Sequence, residues 1–83
     1  MPIKTVNLDP TPKALTDRQP HGYRLYIKNI SSSRVYITSD PTSPKENAII
    51  LDSSDPPYIN EKAYSIYYAF ADVYGVPIAV ETS

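Results

Sequence analysis

Tyr23-Arg24-Leu25-Tyr26-Ile27-Lys28-Asn29-Ile30-Ser31-Ser32-Ser33-Arg34-Val35-Tyr36-Ile37-Thr38 is the stretch that decides the fold. Tyr23, Leu25 and Ile27 alternate with Arg24, Tyr26 and Lys28, and after the serines Val35 and Ile37 alternate with Arg34, Tyr36 and Thr38. A period of two marks a strand with one face to bury. Asn29 and the three serines satisfy their own backbone in tight bends, so the stretch predicts an antiparallel hairpin. Leu25, Ile27, Val35 and Ile37 are expected to enter one core.

Downstream, Ala48-Ile49-Ile50-Leu51 is a continuous apolar run of strand length and predicts a strand covered on both faces. Tyr58-Ile59 predicts a short bridge before a turn at Asn60-Glu61-Lys62. The longest apolar stretch, residues 63–71, predicts a strand with Tyr64, Ile66, Tyr68 and Phe70 facing the core and Ser65, Tyr67, Ala69 and Ala71 opposite them. Asp72-Val73-Tyr74-Gly75 supplies a turn, and Val76 to Glu81 alternates with Val76, Ile78 and Val80 inward. Pro77 then requires either a sheet edge or the start of the paired part. Residues 39–47, with Pro41 and Pro44, read as an exposed, mobile loop.

Upstream, Ile3 to Leu8 alternates, and Pro10, Pro12 and Pro20 forbid a helix and starve a central strand of donors. Residues 1–20 are therefore expected to form an extended N-terminal arm ahead of a single domain over 21–83, with Leu15 plugging the end of the core. Two fates are open to the arm. Its prolines lower the entropy lost on ordering, so Ile3, Val6 and Leu8 can bind a partner; equally, the segment can fold back as an edge strand. Altogether the chain predicts an all-β fold, a small antiparallel β-sandwich or barrel of five to seven strands.

Composition bounds the rest. A chain of 83 residues makes one domain and buries only ~60–65% of its unfolded surface, so association with copies or partners is the remaining source of stability. There is no cysteine, and one histidine cannot build a histidine metal site, so neither a metal nor another cofactor is expected. Eight basic and nine acidic residues are spread evenly, without the basic stripe of a nucleic-acid binder. No apolar run approaches the ~18 residues of a membrane span, and no signal peptide is legible, so the chain reads as soluble and unprocessed.

No catalytic residue emerges. His21 between Pro20 and Gly22 reads as a solvated turn residue without a nucleophile motif, although a triad with a serine and Asp17 or Asp52 can be drawn on paper. Asp52-Ser53-Ser54-Asp55 lacks the alternation and glycine of a calcium loop. Asn29-Ile30-Ser31 matches the glycosylation pattern, which matters only in a secreted protein. The outward tyrosines Tyr26, Tyr36 and Tyr67 suit either a sugar platform or burial by a neighbour, and the enrichment of aromatic residues at interface cores favours the neighbour.

The order Ala14-Leu15-Thr16, Tyr23 to Asn29, a serine-rich turn, Arg34-Val35-Tyr36-Ile37, Ile49-Ile50-Leu51, Ala63 to Ala69 and Val76 to Glu81 resembles the small β-sandwich virion proteins of tailed bacteriophages. The shared features are an aliphatic-x-aliphatic-x-Asn strand, a tight turn, Val-Tyr-Ile and a Val-rich terminal strand. Glu46-Asn47 stands where that group usually has a glycine. The resemblance implies a virion structural protein, made in the host cytoplasm, that decorates or cements the capsid, is present in many copies as a homo-oligomer, and contacts major capsid or other virion proteins. A carbohydrate- or receptor-binding module of a phage tail or fibre is the alternative.

Overall fold

The computed structural model describes residues 3–16, 22–40, 42, 45, 46 and 48–82. They form eight strands and no helix: β1 (Lys4–Leu8), β2 (Lys13–Ala14), β3 (Tyr23–Asn29), β4 (Val35–Thr38), β5 (Ile49–Leu51), β6 (Tyr58–Ala63), β7 (Tyr68–Ala71) and β8 (Val76–Thr82). Two antiparallel sheets result, one ordered β1-β8-β3-β6 and the other β2-β7-β4-β5. The chain is a small β-sandwich, one strand richer than the upper end expected because the two-residue β2 adds an edge to the second sheet.

The alternation of β3 does what it promises, burying Tyr23, Leu25, Ile27 and Asn29 and leaving Arg24, Tyr26 and Lys28 outward. Val35 and Ile37 enter the same core from the other layer. The expected hairpin, however, is not formed. β3 pairs with β6 and β8, and β4 pairs with β5 and β7, so residues 30–34 arch from one sheet to the other.

Asn29 holds this arch. Its buried Nδ2 donates to the carbonyls of Ser33 at 2.7 Å and Leu51 at 2.8 Å, while its Oδ1 accepts from the Ser31 amide at 2.9 Å and the Ser31 hydroxyl at 2.6 Å. With its amide enclosed and doubly used, Asn29 is spent on structure, and the glycosylation pattern has no accessible acceptor.

The 63–71 stretch is not one strand, and its phase is the reverse of that expected. Ala63 ends β6 in one sheet, and Tyr68 begins β7 in the other. The register Val35↔Ala71 and Ile37↔Ala69 sets the alanines on the core face, because directly opposed residues share a face. Phe70 lies opposite Tyr36 on the outer face, where the two rings stack at 4.9 Å. Tyr64 is exposed and Ile66 is only partly buried. β6 is a six-residue strand rather than a bridge, and β5 is an edge strand with Ile49 and Ile50 exposed rather than covered.

Val76, Ile78 and Val80 face inward as expected. β8 is nonetheless central, lying between β1 and β3. Pro77 is tolerated because the β3 ladder starts one residue later, at Asn29↔Ile78. Of the two fates of the N-terminal segment, its described part shows the second: β1 runs along β8 from Lys4↔Val80 to Leu8↔Val76 as the sheet edge. Leu8 is fully buried in the chain's own core, and Leu15 closes it as expected. Residues 17–21, which include Asp17, Pro20 and His21, lie outside the described residues, as do Pro41, Ser43, Pro44 and Asn47 of the 39–47 loop.

Candidate interaction surface

The strand order has a consequence for one end of the sandwich. Each sheet position is shared by two strands joined by a short connection: β1 with β2, β8 with β7, β3 with β4, and β6 with β5. Four arches, 9–12, 72–75, 30–34 and 52–57, therefore lie side by side in that order at the same end. Neighbouring arches are tied together. Ala71 and Gly75 donate their amides to the carbonyls of Asp9 and Leu8, both at 3.0 Å, and Arg34 Nε meets Asp52 Oδ1 at 2.8 Å.

The two central arches carry the exposed apolar groups of this end. Ile30 and Val73 are each 50% exposed and Tyr74 is 81% exposed. Gly75 takes φ 73°, which a side chain would resist, and so lets the 72–75 turn close with Tyr74 at its tip. The flanking arches present Asp9, Pro10, Asp52, Asp55 and Pro56. The result is an apolar centre with a polar rim, the anatomy of a protein–protein contact surface.

The tyrosines and apolar residues expected at an interface are dispersed. Ile3 is exposed at the β1 edge, while Val6 packs against the core and Leu8 is sealed inside it, so Leu8 is not available to a partner. Tyr26 lies partly exposed on the outer face of the first sheet. Tyr36 is buried on the outer face of the second, under Lys45 at 5.2 Å from its ring centroid, and its hydroxyl donates to Asp72 at 2.9 Å. It is therefore covered by its own chain.

Tyr67 also turns inward. It packs on the core near the opposite end of the sandwich, where its hydroxyl accepts from Asn60 Nδ2 at 3.2 Å and its ring lies 6.4 Å from that of Tyr58. Beside it the Tyr23 hydroxyl donates to the Ser65 carbonyl at 2.6 Å and sits 2.7 Å from Thr16 Oγ1. Burial pushes the Tyr23 and Tyr58 hydroxyls above the ordinary phenol range, so both stay neutral and serve as hydrogen-bonding struts. Ile30, Val73 and Tyr74 are the residues that sequence patterning passes over. Their signal is present: in Asp72-Val73-Tyr74-Gly75, turn chemistry accounts for the first and last residues and leaves two large apolar ones without a core to fill.

No family model, curated protein or solved structure matches the chain.

Asp72 links this end to the outer face of the second sheet. The Lys45 ammonium, 2.8 Å from Asp72 Oδ1, and then the Tyr36 hydroxyl hold its carboxyl below the usual carboxylate range. A carboxylate whose pKa falls on folding stabilises the fold above its unfolded pKa of ~3.9 and loses that contribution as pH falls through its folded value. Carbon-detected NMR titration is expected to show Asp72 ionising at lower pH than a free aspartate and moving upward in Lys45→Ala. An unmoved titration in that variant would remove Lys45 as the cause.

Proposed function

We propose that this chain is a non-catalytic structural protein of a bacteriophage particle that decorates or stabilises the capsid through protein–protein contacts. The observation that carries the proposal is the exposed apolar centre Ile30, Val73 and Tyr74, held on two arches that neighbouring arches brace. Large apolar groups on a rigid, polar-rimmed end lose little entropy when a partner covers them. The thin core of so short a chain adds to the case, since a module of this kind gains stability by assembling. The residue order shared with small virion β-sandwiches supplies the kind of assembly, with major capsid or other virion proteins as partners and the virion as its place.

Quantitative mass spectrometry of purified particles is expected to find the chain in many copies per virion. A Val73→Asp/Tyr74→Ala variant should keep the wild-type melting temperature, since both residues lie outside the core, yet bind particles about tenfold or more weakly. Absence of the chain from particles would end the proposal. Tyr74 is also exposed enough to stack on a sugar ring, which favours the alternative of a carbohydrate- or receptor-binding module on a tail or fibre. Saturable binding to soluble oligosaccharides, abolished by Tyr74→Ala, would select that alternative.

A further inference from the structure

We infer that the outer face of the first sheet takes a second copy of this chain. The sheet order and registers lay out that face. Lys28 lies opposite Ala79, and Ala79 opposite Thr5; in the next row Tyr26 lies between Glu81 and Ile59. Pro77, Ala79, Tyr26 and Ile59 form a diagonal apolar strip across three adjacent strands, and Ile59 is 46% exposed.

Charge complementarity identifies the occupant. Lys28 stands on one side of the strip and Glu81 on the other. Neither is in an ion pair among the described residues, whereas Arg24, the other cation facing out from β3, is matched by Glu61 at 3.1 Å. A two-fold axis in the plane between two such faces, perpendicular to the strands and midway between the rows, lays the Lys28–Ala79 row of one copy over the Tyr26–Glu81 row of the other. Lys28 of each copy then reaches the Tyr26 ring and the Glu81 carboxylate of its mate. The same two contacts form twice, as an isologous interface requires. Sheets stack at ~10 Å with interdigitating side chains, a spacing these mid-sized residues fill. The four-arch end stays free, so this contact does not depend on the particle proposal.

Sedimentation equilibrium on the full chain, from about 1 µM to 1 mM, tests it by spanning weak to firm association. The expected result is a monomer–dimer equilibrium at twice the chain mass. Lys28→Glu or Glu81→Lys alone should weaken it at least tenfold, and the double swap Lys28→Glu/Glu81→Lys should restore it. Concentration-dependent hydrogen-exchange protection of Tyr26 and Ile59 in the unmodified chain gives a readout free of any folding defect in the variants. A chain that stays monomeric throughout, a dimer indifferent to single charge reversal, or a double swap without recovery would each overturn the proposal.

Discussion

Deleting residues 1–12 is expected to leave a chain that does not fold. The deletion removes β1 and its pairing with β8 from Lys4↔Val80 to Leu8↔Val76. It also removes Leu8, which is fully buried, and the Asp9 carbonyl that accepts the Ala71 amide. Losing Leu8 alone should cost ~2–5 kcal/mol by the usual large-to-small penalty. The lost ladder and the newly bared flank of β8 bring the total to the scale of a small domain's whole stability, ~5 kcal/mol at the low end. Far-UV circular dichroism and amide dispersion of the truncated chain are the measurements. A cooperative melt retained after the deletion, together with lost particle binding, would instead make residues 1–12 an attachment arm. The pairing of β1 with β8 argues against that outcome.

Asn29→Ala is the point substitution expected to do most damage outside the aliphatic core. It strands the Leu51 carbonyl, takes one of two donors from the Ser33 carbonyl, which the Ser31 hydroxyl also reaches at 3.2 Å, and removes the acceptor of the Ser31 amide and hydroxyl. A buried group left without its partner costs ~1–3 kcal/mol and an ordinary hydrogen bond contributes ~0.5–1.5 kcal/mol, so the bared Leu51 carbonyl and the other lost bonds of the arch together should cost about 3 kcal/mol. In a domain of this size that lowers the melting temperature by about 10–20 °C. Asn29→Asp separates the two halves of the role, since it keeps an acceptor and loses both donated bonds. Calorimetry should find it nearly as damaged as Asn29→Ala. A near-native melt for Asn29→Asp would mean that the accepted bonds carry the arch.

Alternation made much of the fold legible and left the pairing open. In β3 and β8 the period of two correctly sorts Leu25, Ile27, Val76, Ile78 and Val80 into the core. The same period says nothing about which strand lies alongside, and a hairpin and an inter-sheet arch give identical patterns over Tyr23–Thr38. What separates them is Asn29, whose side chain reaches a residue 22 positions away, and no local pattern reports that.

Residues 63–71 mislead for a different reason. Bulk was the cue, but the core face of β7 is the one with Ala69 and Ala71, while Phe70 and Tyr36 shield each other on the outside beneath Lys45. The candidate surface is legible only in part. Tyr26 lies on an outward face as its phase requires, whereas the Tyr36 hydroxyl is taken by Asp72, 36 residues on, and Tyr67 packs on the core with its hydroxyl taken by Asn60.

The pairing of β1 with β8 also sets how the molecule answers to force. Lys4 is opposed to Val80 at one end of the β1–β8 ladder, while Glu81 and Thr82 beyond it are held by β3, so tension between Lys4 and Thr82 meets the β1–β8 ladder at its Lys4↔Val80 pair. Antiparallel hydrogen bonds run across the strands, and under such a pull they open one after another like a zip rather than resisting together in shear. A module loaded in this direction peels at low force from its outermost strand.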